Sequence, residues 1–159
     1  MKKLLVMLFM LVTCSVFAQV EKNGTIYKKH PYITIVTNST ALFVKQDWVG
    51  LAKVYADTAK FYDPSSPRKQ TLADEKKAWA DIAARWTNIK VVQVGYPDGL
   101  AYDKDPFTVQ SWWKVTAVNK KTKKTATFEM VQFDMFNKAG KIGTEVSYYD
   151  LTPLMNAAK

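Results

Sequence analysis

The stretch Tyr55-Ala-Asp-Thr-Ala-Lys-Phe-Tyr-Asp-Pro64 carries a change of backbone within a short span. Asp47 is an N-cap for a helix through Trp48, Leu51, Ala52, Val54 and Tyr55, which should end near Asp57. Residues 59–62 then read as a short strand, stopped by Asp63-Pro64-Ser-Ser-Pro67. A second stretch, Phe136-Asn-Lys-Ala-Gly-Lys-Ile-Gly143, makes a turn and runs into Thr144-Glu-Val-Ser-Tyr-Tyr-Asp150, an alternating strand.

Outward from these stretches, the chain divides into helices first and strands afterwards. Residues 19–30 are polar and read as a loose lead-in. Residues 31–46 are ambiguous. Tyr32-Ile-Thr-Ile-Val-Thr37 is β-branched, as in a strand, yet Ile33, Val36, Thr40 and Phe43 recur at helical spacing behind Pro31. Another helix opens at Thr71, with Asp74 placed for a capping box and Trp79, Ile82, Ala83 and Trp86 forming one apolar stripe. From Asn88 the hydrophobic period falls to two. Strands are expected over 89–96, 107–119, 125–136 and 141–149, with turns at Pro97-Asp98-Gly99, Lys120–Lys124 and Asn137–Gly140. Helices followed by a meander of antiparallel strands make an α+β domain.

The two quoted stretches resemble the signature of the SnoaL-like and ketosteroid-isomerase-like branch of the nuclear transport factor 2 superfamily. The resemblance spans about Pro31 to Leu154. It implies a cystatin-like or nuclear transport factor 2-like fold: a cone-shaped, curved antiparallel sheet wrapped against two or three N-terminal helices. It therefore favours a helix over residues 31–46. In isomerases of this kind the aspartate matching Asp63 is the general base, a role that an apolar pocket favours by raising a carboxylate's pKa. The resemblance places the oxyanion-stabilising tyrosine of those enzymes at Ser39 and their protonated aspartate at Gln132. Both positions depart from the isomerase pattern. Gln132 remains able to polarise a carbonyl through its amide. Asp63 has a second, structural reading, since Asp before Pro commonly opens a turn.

The pocket expected from this reading is lined by Tyr62, Asp63, Trp79, Met130 and Gln132. One of Trp112 and Trp113, and one of Tyr148 and Tyr149, should join them, because neighbours on a strand face opposite ways. The other member of each pair would lie on the outer sheet face and suit a homodimer contact.

Bulk properties narrow the chemistry. The 159 residues make one domain, 31–159, behind the lead-in and an N-terminal leader. Lys2 and Lys3, the apolar run 4–12 and Val16-Phe17-Ala18 read as a signal peptide of residues 1–18, so export to the periplasm or beyond is expected. The rival is lipoprotein processing at Cys14, where Thr13 departs from the usual small residue. Cys14 is the only cysteine, so the exported chain would have no disulfide and no thiolate. His30 is the only histidine, which argues against zinc sites and histidine-dependent triads. No metal and no cofactor are expected. The net charge is +9, and removal of Lys2 and Lys3 leaves +7. Much of it sits in Lys120, Lys121, Lys123 and Lys124, which read foremost as a solvated hairpin tip that discourages edge pairing and alternatively as a contact for an anionic partner such as an acidic glycan or lipid headgroup. Nucleic acid is not expected as a partner.

Three readings stand on the sequence: an exported domain binding a small hydrophobic or aromatic ligand, a proton-transfer enzyme with Asp63 as base and Gln132 as polariser, and a homodimeric interaction module. Fold analogy alone does not choose among them.

Overall fold

The computed structural model describes residues 22–63 and 69–159. The expected leader, Cys14 and the turn at 64–67 lie outside the described residues. The elements in chain order are β1 (Gly24–Tyr27), α1 (Pro31–Val44), α2 (Trp48–Ala52), β2 (Tyr55–Tyr62), β3 (Gln70–Thr71) and α3 (Leu72–Arg85), then β4 (Trp86–Gln93), β5 (Asp98–Tyr102), β6 (Thr108–Asn119), β7 (Thr125–Phe136), β8 (Ile142–Tyr149) and α4 (Thr152–Ala158). One sheet runs β1-β5-β6-β7-β8-β2-β3, and β4 adds to it by pairing with β6. It is mostly antiparallel, with one parallel pair, β2 against β8. The sheet is therefore mixed rather than purely antiparallel. The α+β class holds.

That parallel pair joins the two stretches that carried the sequence reading. Lys60 faces Thr144, Phe61 faces Glu145 and Tyr62 faces Val146. The end of β2, with Asp63, is thereby set beside the end of β8.

Helix wins over strand at residues 31–44 for local reasons. His30 caps the first turn, its Nδ1 accepting from the Tyr32 amide at 3.2 Å, and Pro31 needs no amide partner there. The hydroxyls of Thr37, Ser39 and Thr40 bond carbonyls three or four residues back, so these poor helix formers are satisfied within the helix. Ile33, Val36 and Ser39 form its buried stripe.

Helix α2 is shorter than expected. The Asp47 carboxylate accepts from the Gly50 amide at 2.8 Å, and a Cβ at Gly50 would fall 2.5 Å from that carboxylate. The helix stops at Ala52, and Tyr55 already belongs to β2 because its side chain is drawn into the sheet's inner face. Three further elements escape the periodicity reading. β1 forms in the supposed lead-in by pairing with β5. β5 forms where a turn was read at Pro97-Asp98-Gly99, because β6 offers it an edge. The short α4 carries Pro153 in its first turn and packs on β7 and β6. All three are made by tertiary contacts rather than by local pattern.

β6 and β7 follow the period of two throughout. Residues 109, 111, 113, 115 and 117 of β6 face the core with 126, 128, 130, 132, 134 and 136 of β7, on the side covered by the helices. One end of this core is closed by rings. Tyr32 stacks on Phe136 at 4.0 Å between centroids, and His30 stacks on Phe107 at 4.0 Å. His30 is thus a cap and a packing residue.

The lysine turn is tied down through its backbone. Asn119 Oδ1 accepts from the amides of Lys121 and Thr122, and Thr122 Oγ1 donates to the Ala157 carbonyl. Lys120 Nζ donates to the Ala83 carbonyl near the end of α3, a favourable place for a cation.

Candidate functional site

A cavity of about 310 Å³ lies between the helices and the inner face of the sheet. Its walls are layered by strand register. The row Val115–Phe128 is apolar, as are Met130 and Tyr149 in the next row, whose third member, Trp113, is packed into the core. The row Ser111–Gln132–Ser147 is polar, and the next row pairs Asp134 of β7 directly with Glu145 of β8. From α3, Glu75, Ala78, Trp79 and Ile82 line the cavity, and from α1, Ser39, Thr40 and Phe43 do so. Their spacing puts each set on one helix face. The cavity therefore has an aromatic body and a polar end.

Asp134 is 0 % exposed. Gln132 Nε2 donates to both of its oxygens, at 3.0 Å each. Glu145 accepts from Tyr55 Oη at 2.6 Å and from Ser147 Oγ at 3.2 Å. Burial pushes the Asp134 carboxyl well up, and the neighbouring Glu145 charge pushes it the same way against the opposing Gln132 hydrogen bond. Burial also raises Glu145, while its hydrogen bonds from Tyr55 and Ser147 oppose the rise. Two carboxyls opposite each other on adjacent strands, both raised, hold a proton more tightly than isolated ones.

Glu75 faces this pair from α3. Burial, followed by the charge of Glu145, pushes it up to about 7 against an opposing hydrogen bond from Trp79. At the end of β2, Asp63 accepts from Tyr149 Oη at 3.3 Å. Burial and the Asp63 charge raise the Tyr149 phenol, and burial with the charges of Glu145 and Asp134 raises Tyr55. Both phenols stay protonated and serve as donors.

Six of the residues singled out from sequence meet here: Tyr62, Asp63, Trp79, Met130, Gln132 and Tyr149 all line the cavity. Ser39 lines it too, but its hydroxyl donates to the Val36 carbonyl at 2.7 Å. Three others fall elsewhere. Trp113 faces inward but is packed into the core, its indole donating to Ser111 Oγ at 2.9 Å. Trp112 and Tyr148 face outward across Val131, with Tyr148 52 % exposed. Alternation along a strand requires this once Trp113 and Tyr149 turn in.

The sequence reading passed over Glu75, Asp134, Glu145 and Tyr55. The signal for the strand residues was parity: Asp134 shares a face with Gln132, and Glu145 with Tyr149. Glu75 sits four residues before Trp79 and seven before Ile82, on the same helical stripe. Among the described residues, no group of three or more His, Cys, Asp or Glu side chains is arranged to hold a metal ion. No described helix is long and apolar enough to cross a membrane.

No protein-family model and no curated protein matches the chain. Solved structures do. PrhC from Penicillium brasilianum superposes with a TM-score of 0.70 at 10% identity, covering 82% of this chain and 87% of its own. An NTF2-like protein from Burkholderia thailandensis gives 0.65 at 18% identity, covering 82% and 98%. A protein of ketosteroid isomerase-like fold from Catenulispora acidiphila, solved with trimethylamine, gives 0.63 at 16% identity, covering 77% and 90%. The chain has the nuclear transport factor 2-like fold. Identities this low establish the fold and leave the activity to the site. In this chain Glu145 of β8 lines one wall of the cavity with Asp134 of β7 paired beside it, and α3 supplies the wall that carries Glu75.

Proposed function

We propose that the protein binds a small, mainly apolar ligand in this cavity, with a polar group of the ligand directed at Gln132, Ser147 and the carboxyls. The observation that carries the reading is an aromatic-walled space of about 310 Å³ ending in convergent hydrogen-bonding groups. Ligand sites combine these two features in the same way, and the volume is at the lower end of their usual range. The trimethylamine bound to the Catenulispora protein is a small molecule of the size such a space accepts. Together with the leader read at residues 1–18, this makes an exported binding protein, and N-terminal sequencing of the secreted form should begin at Gln19.

Native mass spectrometry of protein purified from its own host tests the binding. A retained mass of a few hundred daltons, lost in Met130→Trp while the fold persists, is the expected result. No retained mass, together with no uptake of an apolar fluorophore, would overturn the reading.

A second reading, proton-transfer catalysis, is favoured by Glu75, a carboxyl in the cavity pushed up to about 7. A group that titrates near neutrality both gives and takes protons efficiently. In this reading Asp63 is the base, and Gln132 becomes the polariser by turning its amide from Asp134 to the substrate carbonyl. Exchange of the α-hydrogens of cyclohexanone in D2O, followed by NMR, should be accelerated by the protein and lost in Asp63→Asn. An Asp63→Asn variant as active as the parent would remove Asp63 from the mechanism.

A homodimer is proposed through the outward row Trp112, Val131 and Tyr148. Trp112→Glu should then sediment as a monomer, and a parent protein already monomeric would end the idea.

A further inference from the structure

The charge of this chain is sorted between outside and inside. The sequence holds 23 Lys and Arg against 14 Asp and Glu. Among the described residues, the cavity lining contains Asp63, Glu75 and Glu145 and no Lys, Arg or His. Asp134 adds a fourth carboxyl against Glu145, immediately behind the lining. In a chain with an excess of cations, a cavity this acidic has a specific electrostatic sign.

The cavity walls supply an independent feature. Phe43, Tyr62, Trp79, Phe128 and Tyr149 present rings to the same space. Ring faces carry negative potential and attract cations, most strongly where water is excluded. The ring of Tyr62 already has the Lys69 ammonium 5.5 Å from its centroid. Carboxyls at one end and rings around the body therefore act in the same direction. A neutral apolar ligand would gain from the rings alone, whereas a cation also gains from the carboxyls as they ionise beside it. An anionic ligand would be repelled by them.

We infer that the ligand is an organic cation, an amine or quaternary ammonium on an apolar body, with its charge directed at Glu75 and Glu145. This rests on the binding reading above and names the ligand class for the same cavity. The groups facing such a charge are Glu75 from α3, Asp63 at the end of β2, Asp134 from β7, Glu145 and Tyr149 from β8, and Tyr55 from β2. Lys69 stands at Tyr62 as the opposing charge. Glu75, Asp134 and Glu145 all hold their protons more tightly than ordinary carboxyls in the empty cavity. A cation placed beside them favours their ionised forms. Its binding is therefore coupled to proton release, and its affinity rises with pH across neutrality.

The test uses two probes of nearly the same shape, phenyltrimethylammonium and tert-butylbenzene, titrated calorimetrically at pH 7 in buffers of different ionisation enthalpy. The expected result is a preference for the cation of about tenfold or more, from ring and carboxyl attraction together. Heats for the cation alone should depend on the buffer, which reports the released proton. Glu75→Gln, a change on a half-buried helical face, should lower the ratio of cation to neutral-probe affinity several-fold. Glu145→Gln provides a second variant with the same expectation. Equal or tighter binding of tert-butylbenzene would overturn this inference and leave the binding reading standing. Failure of both probes to bind would overturn both.

Discussion

Lys120, Lys121, Lys123 and Lys124 stand together in the sequence, whereas Asp63, Glu75, Asp134 and Glu145 are scattered along it. Folding reverses their importance. The lysines spread over an exposed turn whose shape is set by Asn119 and Thr122, and the Lys120 side chain bonds a helix-end carbonyl. The carboxyls, drawn from the end of β2, α3, β7 and β8, come together at one cavity, where burial and the charge of Glu145 raise Glu75 and Asp134. A run of charge in a sequence is free to remain solvated. A single charge at an inward position of a strand has to be accommodated by its neighbours.

The comparison is broken most severely by removing the low-dielectric wall beside the carboxyls. Trp79 is 3 % exposed and stacks on Trp48 at 5.9 Å between centroids. Trp79→Ala should destabilise the fold by about 3–5 kcal/mol in urea denaturation. If the variant remains folded, Glu75 should titrate closer to an ordinary glutamate in NMR. Two effects compete there: water entering lowers its pKa, and loss of the Trp79 hydrogen bond raises it. Burial is the largest cause of the shift, so the fall should prevail. A Glu75 titration unchanged in Trp79→Ala would mean that charge repulsion, not burial, sets it.

Next in size is Tyr55→Phe. The phenol donates to Glu145 at 2.6 Å, and a hydrogen bond to a buried carboxylate contributes about 1.5 kcal/mol or more. The variant should lose that much stability at pH 8, where Glu145 has most charge. The loss should shrink toward pH 4, where the carboxyl is protonated. A loss that does not vary with pH would show that Glu145 keeps one protonation state across this range.

These effects explain which parts of the molecule were legible from sequence. The cap at Thr71 with Asp74, and the long strands β6 and β7, are local patterns and read correctly. The parallel pairing of the stretches at 55–64 and 136–150 is not legible in either stretch alone, because it joins strands far apart in the chain. β1, β5 and α4 depend on partners far along the chain, and their own residues give little period. The same holds for the site. Tyr62, Asp63, Trp79, Met130, Gln132 and Tyr149 were found because they sit in or beside the motif stretches and stripes. Asp134 and Glu145 were passed over because a carboxylate in a strand is ordinarily assigned to the solvent face. Applying alternation outward from Gln132 and Tyr149 would have placed both inside.

Asp134→Asn tests the like-charge pair directly. The folded-state pKa of Asp134 is raised, so its contribution to stability is full below the unfolded aspartate value and declines as pH rises through the folded value. The amide cannot ionise and keeps an acceptor for Gln132. The variant should therefore match the parent near pH 4 and become more stable than it by on the order of 1 kcal/mol at pH 8. Thermal melts across this range measure it. A variant less stable at pH 8 would show that the pair is ionised and supported by donors rather than held by a shared proton.

The smallest expected effect belongs to the lysine turn. Charge neutralisation at Lys121 and Lys124 should change stability by less than about 0.5 kcal/mol, as for most exposed substitutions. Lys123 differs for a backbone reason: its φ is +62°. A side chain in that left-handed region meets its own backbone, whereas glycine has no Cβ to clash. Glycine also gives the unfolded chain more freedom, which offsets part of the gain. Lys123→Gly should consequently stabilise the fold by only about 0.5 kcal/mol, visible in the urea midpoint. Lys123→Gln removes the same charge without relieving the backbone, so it should produce no such gain. If the two variants behave alike, the charge rather than the backbone governs this turn, and the contrast between exposed lysines and buried carboxyls loses its physical basis.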